Sequence, residues 1–434
     1  MNSYNISFTG AVDSGKSTLI SVLKNKILDD GKGSARKTVV KHNHELVSGR
    51  TSCVSYNTTQ LSEDNIFTFI DLAGHEKYLK NTMYGLNLNL HAMFLIISAN
   101  NGISIMTKEH FNLSRALNIP VIIIINKIDM CPENILNNTL QDLNKLVNSK
   151  IGGHKNLYFY QNKDFLDSSK LYIKESNSTN PTIILNSNKN YNINNNLNFN
   201  IDKSYPIFFT SCKTGFGIDN LKYFLNSYFV NSLYNTQPSL SKTDNIFIIQ
   251  ETYHINGVGI VFYGHVKQGI ITKNQKLSIG PFGSKFYPIN IRNIRDILDN
   301  DVDNLYTNQS GCVLIKQLSK DFTFKREHIR KGIYITNNPF SCQEFIARVF
   351  ILHHPTTIKK KYQSTIHCGT VIQAAEIIEI INIKKQNDNN LLRTGDYAKV
   401  RFRFMFRPEF IKNDSLFIFR ENNAKGVGKI LSTI

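Results

Sequence analysis

Short apolar runs separated by polar, glycine-containing stretches dominate the first half of the chain: Ile6–Thr9, Phe67–Ile70, Phe94–Ser98, Val121–Ile125 and Pro206–Thr210. Almost continuous apolar strands of this length suit a parallel sheet covered on both faces. Helical patterning follows the runs at Lys16–Leu28, Lys108–Leu117 and Ile218–Tyr228. The alternation predicts a doubly wound, mostly parallel α/β domain over residues 1–238. Between about 150 and 204 the pattern breaks, and Ser176–Asn200 is dominated by Asn and Ser. That stretch lacks the apolar density for a core, so it reads as a surface insertion, mostly disordered.

From about residue 244 the pattern changes. β-rich runs recur with turn signals between them: Ile246–Thr252, Gly259–Val266, Lys276–Ile279, Gly311–Gln317, Glu344–Leu352, Ala398–Phe406 and Ser415–Phe419. No long helical pattern interrupts them. Such spacing predicts antiparallel β-barrels. The turn-rich Thr336–Ser341 divides the region into two, over 243–338 and 341–434.

Composition agrees with three domains: 434 residues, 41% of them hydrophobic, at roughly 150 residues per domain. The formal net charge of +18 favours polyanionic partners, among which nucleic acid, membrane surfaces and acidic proteins remain open. The six cysteines are scattered without a CxxC pair, as in a reducing compartment. The opening MNSYNISFTG has no signal-peptide pattern, and the apolar runs are too short to span a bilayer. These features predict a soluble cytoplasmic protein.

The chemistry lies just past the predicted strand ends, where open α/β sheets bind ligands. Gly10 to Ser17 reads GAVDSGKS, a complete phosphate loop. Its glycines let backbone N–H groups wrap phosphates at the positive end of the helix that follows. Asp13, Ser14, Gly15, Lys16, Ser17 and Thr18 form the candidate phosphate-binding set. Lys16 would reach the β- and γ-phosphates, and Ser17 would ligate Mg²⁺. Asp71-Leu72-Ala73-Gly74 offers a carboxylate for Mg²⁺ and an amide that senses the γ-phosphate. Asn126-Lys127-Ile128-Asp129 selects guanine, because the Asp129 carboxylate can accept from both N1–H and the 2-amino group. Asn126 would brace the loop, and the Lys127 stem would cover the base. Ser211, Cys212 and Lys213 would bring a backbone amide to guanine O6. His75, directly after Gly74, is the candidate catalytic residue, holding water in line with the γ-phosphate.

The stretches GAVDSGKST, DLAGHEKYLK and NKID resemble the translational GTPases, the superfamily of elongation factors Tu and 1-alpha. By that resemblance, His75 matches the catalytic histidine, Val12 an apolar residue flanking it, and Asp13 a position that helps bind a monovalent cation. Gly31–Ser52, Asp71–Leu79, Met106–Ile135, LHHPTT at Leu352–Thr357, IHCG at Ile366–Gly369 and LRTGD at Leu392–Asp396 are similar to the GTP-binding protein 1 and 2 family. Arg330-Lys331-Gly332 resembles the superfamily's first barrel. The likeness places Gly49–Ser52 in the first switch, where a hydroxyl completes the Mg²⁺ shell. Thr51 is the first candidate and Ser52 the second. A gapless comparison with elongation factor Tu points to Cys53 instead, but a thiol is a poor ligand for a hard cation. Near the C-terminus, Glu421–Lys425 replaces the usual Gly-Arg-Thr turn.

The resemblance implies a monomeric GTPase that cycles between GTP and GDP, binds aminoacyl-tRNA and the ribosome, and has neither DNA nor a membrane as partner. Strand alternation at Arg401, Phe402, Arg403, Phe404, Phe406 and Arg407 predicts arginines outward and phenylalanines in the core, with Lys359–Lys361 as a further basic run. A solvated barrel face accounts for the same residues. His353, His354, His367 and Cys368 fit no zinc-finger spacing. The other functional readings are a GTP-controlled RNA-binding regulator of mRNA turnover, a termination or ribosome-rescue GTPase with a protein partner, and a non-hydrolysing scaffold.

Overall fold

The computed structural model describes residues 2–40, 45, 51–62, 65–78, 82, 85, 90–149, 152–153, 155–159, 171–174, 182–185, 204–229, 244–318, 324, 328–330, 332–383, 391–421 and 424–434. Two compact units emerge, Met1–Leu86 with Leu90–Pro238, and Asn87–Asn89 with Ser239–Ile434.

The first unit is built on a seven-stranded sheet. Its strands are β1 (Asn2–Gly10), β2 (Ser55–Ser62), β3 (Asn65–Asp71), β4 (Ala92–Ser98), β5 (Val121–Asn126), β6 (Asn156–Phe159) and β9 (Ser204–Thr210). They lie in the order β2-β3-β1-β4-β5-β9-β6. Only β2 runs antiparallel to its neighbour. Strand β5 is buried along its whole length, which its isoleucines favour: each contributes about 1.5–3 kcal/mol relative to exposure. Among the described residues, four α-helices accompany the sheet: α1 (Lys16–Asn25), α2 (Ile105–Ala116), α3 (Glu133–Val147) and α4 (Ile218–Phe224). Helix α2 starts three residues before the sequence pattern suggests, because the Ser104 hydroxyl caps Thr107 N at 3.1 Å.

The insertion expected from about 150 begins later. Asn156–Phe159 pairs in parallel with β9 as the outermost strand of the sheet. Within the insertion, β7 (Leu171–Lys174) and β8 (Thr182–Leu185) form an antiparallel pair. The Asn-rich run after them lies outside the described residues.

The second unit holds two closed six-stranded antiparallel barrels. The first contains β10 (Ile246–Ile255), β11 (Gly259–Gln268), β13 (Lys276–Phe282), β14 (Lys285–Asp296), β16 (Ser310–Gln317) and β17 (Tyr334–Thr336). Beside it, β12 (Ile270–Thr272) pairs with β15 (Asn304–Tyr306). The second barrel runs β18-β21-β20-β19-β22-β23. Its strands are β18 (Glu344–His353), β19 (Gln363–Cys368), β20 (Val371–Ile383), β21 (Tyr397–Phe404), β22 (Leu416–Glu421) and β23 (Ala424–Thr433).

The barrels share an interface. The Glu409 carboxylate is fully buried and meets Arg330 at 2.9 Å, while Gln373 donates to its other oxygen at 2.8 Å. A buried carboxylate is tolerable only when paired in this way. Phe410 packs between Tyr334 and Phe340, with ring centroids at 4.8 and 4.7 Å.

One core assignment is overturned. Phe402 and Phe404 point into the second barrel, but Phe406 is 74% exposed. Strand β21 ends at Phe404, and Gln373 Oε1 captures the amides of Phe406 and Arg407 at 3.0 and 2.9 Å, which ends the alternation. Arg401 and Arg403 face outward, both held by Glu344. Arg407 pairs with Glu409 at 3.3 Å.

Candidate nucleotide site

The phosphate loop leaves β1 at Gly10 and enters α1 at Lys16. Gly10 (φ 143°) and Gly15 (φ 91°) adopt backbone conformations closed to most side chains. A Cβ on Gly10 would lie 2.2 Å from Ile96 O, and one on Gly15 would lie 2.3 Å from Asn126 Nδ2. Asn126 Nδ2 donates to Ser14 O at 3.1 Å, and Asn126 Oδ1 accepts from Thr210 Oγ1 at 3.2 Å. One buried amide thus joins the phosphate loop, the Asn126–Asp129 segment and the end of β9.

A cavity of about 360 Å³ opens above the loop, lined in part by Asp13, Gly15, Lys16, Ser17, Thr18, Thr51, Gly74, His75, Asn126, Lys127, Asp129, Cys212 and Lys213. Ser14, Asp71 and Ser211 do not line it. The Ser14 side chain is buried. The Ser211 hydroxyl caps Thr214 N at 3.1 Å, and its amide is engaged by Phe216 O at 3.0 Å.

Lys16 is buried, with Nζ 2.7 Å from Ala11 O and 3.2 Å from Gly10 O. Burial pushes its ammonium down to about 8, against the pull of Asp71 and Asp13. Gly74 packs on the same loop: a Cβ there would fall 2.6 Å from both Lys16 Nζ and Gly10 O.

Three oxygens converge beside Lys16. Ser17 Oγ donates to Asp71 Oδ2 at 2.5 Å, Thr51 Oγ1 lies 3.2 Å from Ser17 Oγ, and Thr51 Oγ1 reaches Asp71 Oδ2 at 3.3 Å. The second Asp71 oxygen is buried without a hydrogen-bond partner. Burial raises the Asp71 carboxyl, opposed by Lys16 and by the Ser17 and Thr51 hydroxyls. A hard-oxygen set with one unsatisfied carboxylate oxygen fits a divalent cation such as Mg²⁺. Ser52 is turned away: its amide and hydroxyl donate to Glu45 Oε1 at 2.6 and 2.8 Å. Cys53 is exposed, and its amide also bonds Glu45 Oε1, at 3.2 Å. The buried Glu45 carboxylate therefore anchors Ser52 and Cys53, the residues immediately after Thr51, while the Thr51 hydroxyl reaches the cluster.

His75 sits at the cavity edge with Nδ1 accepting from Lys77 N at 3.1 Å. In the neutral ring this places the proton on Nε2, the nitrogen free of that bond.

Two features escaped sequence reasoning. Asp29 collects the amides of Gly31, Gly33 and Ala35 at 2.9–3.1 Å, and its own amide bonds Cys212 O at 2.9 Å. The loop so formed adds Gly31, Lys32, Gly33 and Arg36 to the cavity wall. An Asp followed by spaced glycines was the available signal. His110, on α2, is fully buried and accepts the Gly10 amide at Nδ1, 3.1 Å away. Nothing local in the sequence marks that pairing across the fold.

Burial pushes the His110 imidazole down to about 3, with Lys16 adding to the shift. The folded chain keeps it neutral, whereas the unfolded chain protonates it near its ordinary value of about 6.5. Its contribution is therefore complete above about 6.5 and declines as pH falls towards 3, by about 2 kcal/mol at pH 5. Urea unfolding at pH 7 and pH 5 checks this. A His110→Asn variant, which keeps an acceptor for Gly10 but cannot titrate, is expected to lose that much less stability over the same interval.

The family model described as "Elongation factor Tu GTP binding domain" matches residues 1–231. The chain belongs to that family. Its first part is thus a GTP-binding domain of the elongation factor Tu type. Along the sequence, it is 36% identical to GTP-binding protein 1 of Xenopus laevis, an alignment covering 98% of this chain and 62% of that protein. It is 31% identical to human GTP-binding protein 2, over 98% of this chain and 68% of that protein. The chain thus spans under two thirds of the Xenopus relative's length. Elongation factor 1-alpha of Methanopyrus kandleri is 25% identical over 92% of this chain and 89% of its own length. Among solved structures, bacterial selenocysteine-specific elongation factor EF-Sec superposes with a TM-score of 0.69 at 16% identity, covering 100% of this chain and 59% of that one. SelB from Methanococcus maripaludis, in complex with the GTP analogue GppNHp, also gives 0.69, at 15% identity, covering 100% of this chain and 80% of that one. The elongation-factor fold, a GTPase domain followed by two barrels, is thereby established. Among the described residues no helix is long and apolar enough to cross a membrane.

Proposed function

We propose that this GTPase is a Mg²⁺-dependent cytoplasmic switch of the elongation-factor type that binds aminoacyl-tRNA in its GTP state and hydrolyses GTP on the ribosome. Its domains would span 1–238, 243–338 and 341–434, and it would act as a monomer. The observation that carries the reading is the convergence of Thr51 with Ser17 and Asp71, while His75 lines the same cavity. Thr51, from the candidate first switch, and His75, directly after Gly74, thus line one cavity.

The phosphates would lie against the loop amides, with Lys16 meeting the β- and γ-phosphates. Ser17, Thr51 and Asp71 would hold Mg²⁺, which supplies positive charge to the phosphate oxygens. Asp13 would favour a monovalent cation beside them. Gly74 packs so closely on the phosphate loop that its amide would register the γ-phosphate. His75 would hold the attacking water through Nε2. Asp129 and Lys127, which line the same cavity, would take the guanine base, with the backbone of Cys212 or Lys213 at O6.

Filter binding of radiolabelled aminoacyl-tRNA tests the delivery role. Retention with a non-hydrolysable GTP analogue is expected, with at least tenfold weaker retention with GDP or with deacylated tRNA. Equal retention in all three conditions would reject delivery and favour an RNA-binding regulator. Loss of tRNA binding alongside GTP-dependent capture of a purified release-factor-like protein would favour the termination reading.

A further inference from the structure

The outer face of the second barrel places three cations in one cross-strand row. Arg348 on β18 stands in register with Lys399 on β21 and with Lys429 on β23. All three are exposed. Like charges facing one another across a ladder are destabilising, so the row works against the stability of its own sheet. One row along, Ile346 stands beside Arg401, and the row after that pairs Glu344 with Arg403. There the cations are balanced: Glu344 binds both arginines, and Glu379 and Glu376 of β20 lie in register with them. Among the described residues, the Lys399–Arg348–Lys429 row has one ion pair, between Lys429 and Asp414 at 2.8 Å, with 81% of the Asp414 side chain exposed. A pair so open to water neutralises little.

On the other side of this row lies an aromatic step. Phe350 stands opposite Tyr397, their rings stacked at 4.4 Å, and Tyr397 is 49% exposed. A flat, half-exposed ring beside surplus cations combines two features of single-stranded nucleic-acid sites, a π-face for a base and charge for the backbone. A single-stranded RNA uses both at once, since each base can stack on the ring while the neighbouring phosphates meet the cations.

We infer that the β23-β18-β21 face is an RNA-binding surface, in which Arg348, Lys399 and Lys429 meet phosphates and an unpaired base stacks on Tyr397. The inference rests on the reading of the chain as an RNA partner, but concerns a face separate from the nucleotide cavity.

Fluorescence anisotropy of the full chain with a labelled single-stranded RNA, titrated across salt concentrations, tests it. A variant carrying Arg348→Gln, Lys399→Gln and Lys429→Gln is expected to bind at least tenfold more weakly. Its salt dependence should be shallower by about 2 in log–log slope, since each single-strand phosphate contact contributes about 0.7. Tyr397→Ala is expected to weaken binding about fivefold or more without changing that slope, and Tyr397→Phe to restore it. Wild-type affinity and slope in the triple variant, or no RNA binding by the parent chain, would overturn the proposal. So would loss, in that variant, of binding to vesicles with 30% phosphatidylserine while RNA binding persists. Ribosome-stimulated GTP hydrolysis, measured on the same variants, keeps the two readings apart: a parent chain unmoved by ribosomes whose RNA binding still depends on this face sinks the elongation role and leaves the surface standing.

Discussion

Replacing Asp129 by Asn is expected to lower GTP affinity by about a hundredfold to ten-thousandfold and to favour xanthosine triphosphate instead. Asp129 lines the cavity and is exposed, so its carboxylate can accept from two donors on guanine. Hydrogen bonds to a charged group contribute about 1.5–3 kcal/mol each, so losing both costs about 3–6 kcal/mol. An asparagine turns one acceptor into a donor and sets it against the base's own N–H groups, whereas xanthine presents a carbonyl in place of the 2-amino group. Because Asp129 is exposed and Asn126 supports the loop, the variant should fold. Competition against a fluorescent GDP analogue measures both affinities. Unchanged GTP binding would mean that the base lies elsewhere.

The second large effect is on catalysis. His75→Ala should leave GTP affinity within about threefold of the parent and lower the stimulated hydrolysis rate by about 10²–10⁴, the range for removing a positioned acid–base group. Its ring touches no phosphate-loop atom in the contacts described; its bond is to Lys77 N, and its ring meets Tyr78 at 6.2 Å. Binding and chemistry should therefore separate, as expected for an interaction formed only on the way to the transition state. Single-turnover hydrolysis beside equilibrium binding distinguishes this from a general weakening of the site.

Much of the nucleotide site was readable along the chain because its parts are local. Phosphate wrapping depends on consecutive backbone conformations, and the glycines at 10 and 15 declare them directly. The order of strands and helices was likewise visible, since β5 is buried throughout and its apolar run says so. What stayed hidden involves partners distant in sequence. The His110–Gly10 bond spans a hundred positions, and no periodicity of α2 marks His110 as more than a residue on its apolar face. Strand β6 is four residues long, at the sheet edge, next to polar sequence, so it merged with the insertion. Phe406 was misplaced because a two-residue period continues on paper after the strand has stopped, and the side chain that stops it, Gln373, comes from another strand. Of Thr51, Ser52 and Cys53, it is the Thr51 hydroxyl that bonds Ser17 and Asp71, while Glu45, which no local pattern marks, holds the Ser52 hydroxyl and the Ser52 and Cys53 amides.

The measurement that bears most directly on the central claim is GTP hydrolysis by the purified chain, alone and with ribosomes, beside His75→Ala. A slow intrinsic rate, strong stimulation by ribosomes and loss of that stimulation in the variant is the predicted result. Intact GTP binding with no stimulation by any ribosome preparation, or stimulation undiminished in His75→Ala, would contradict it.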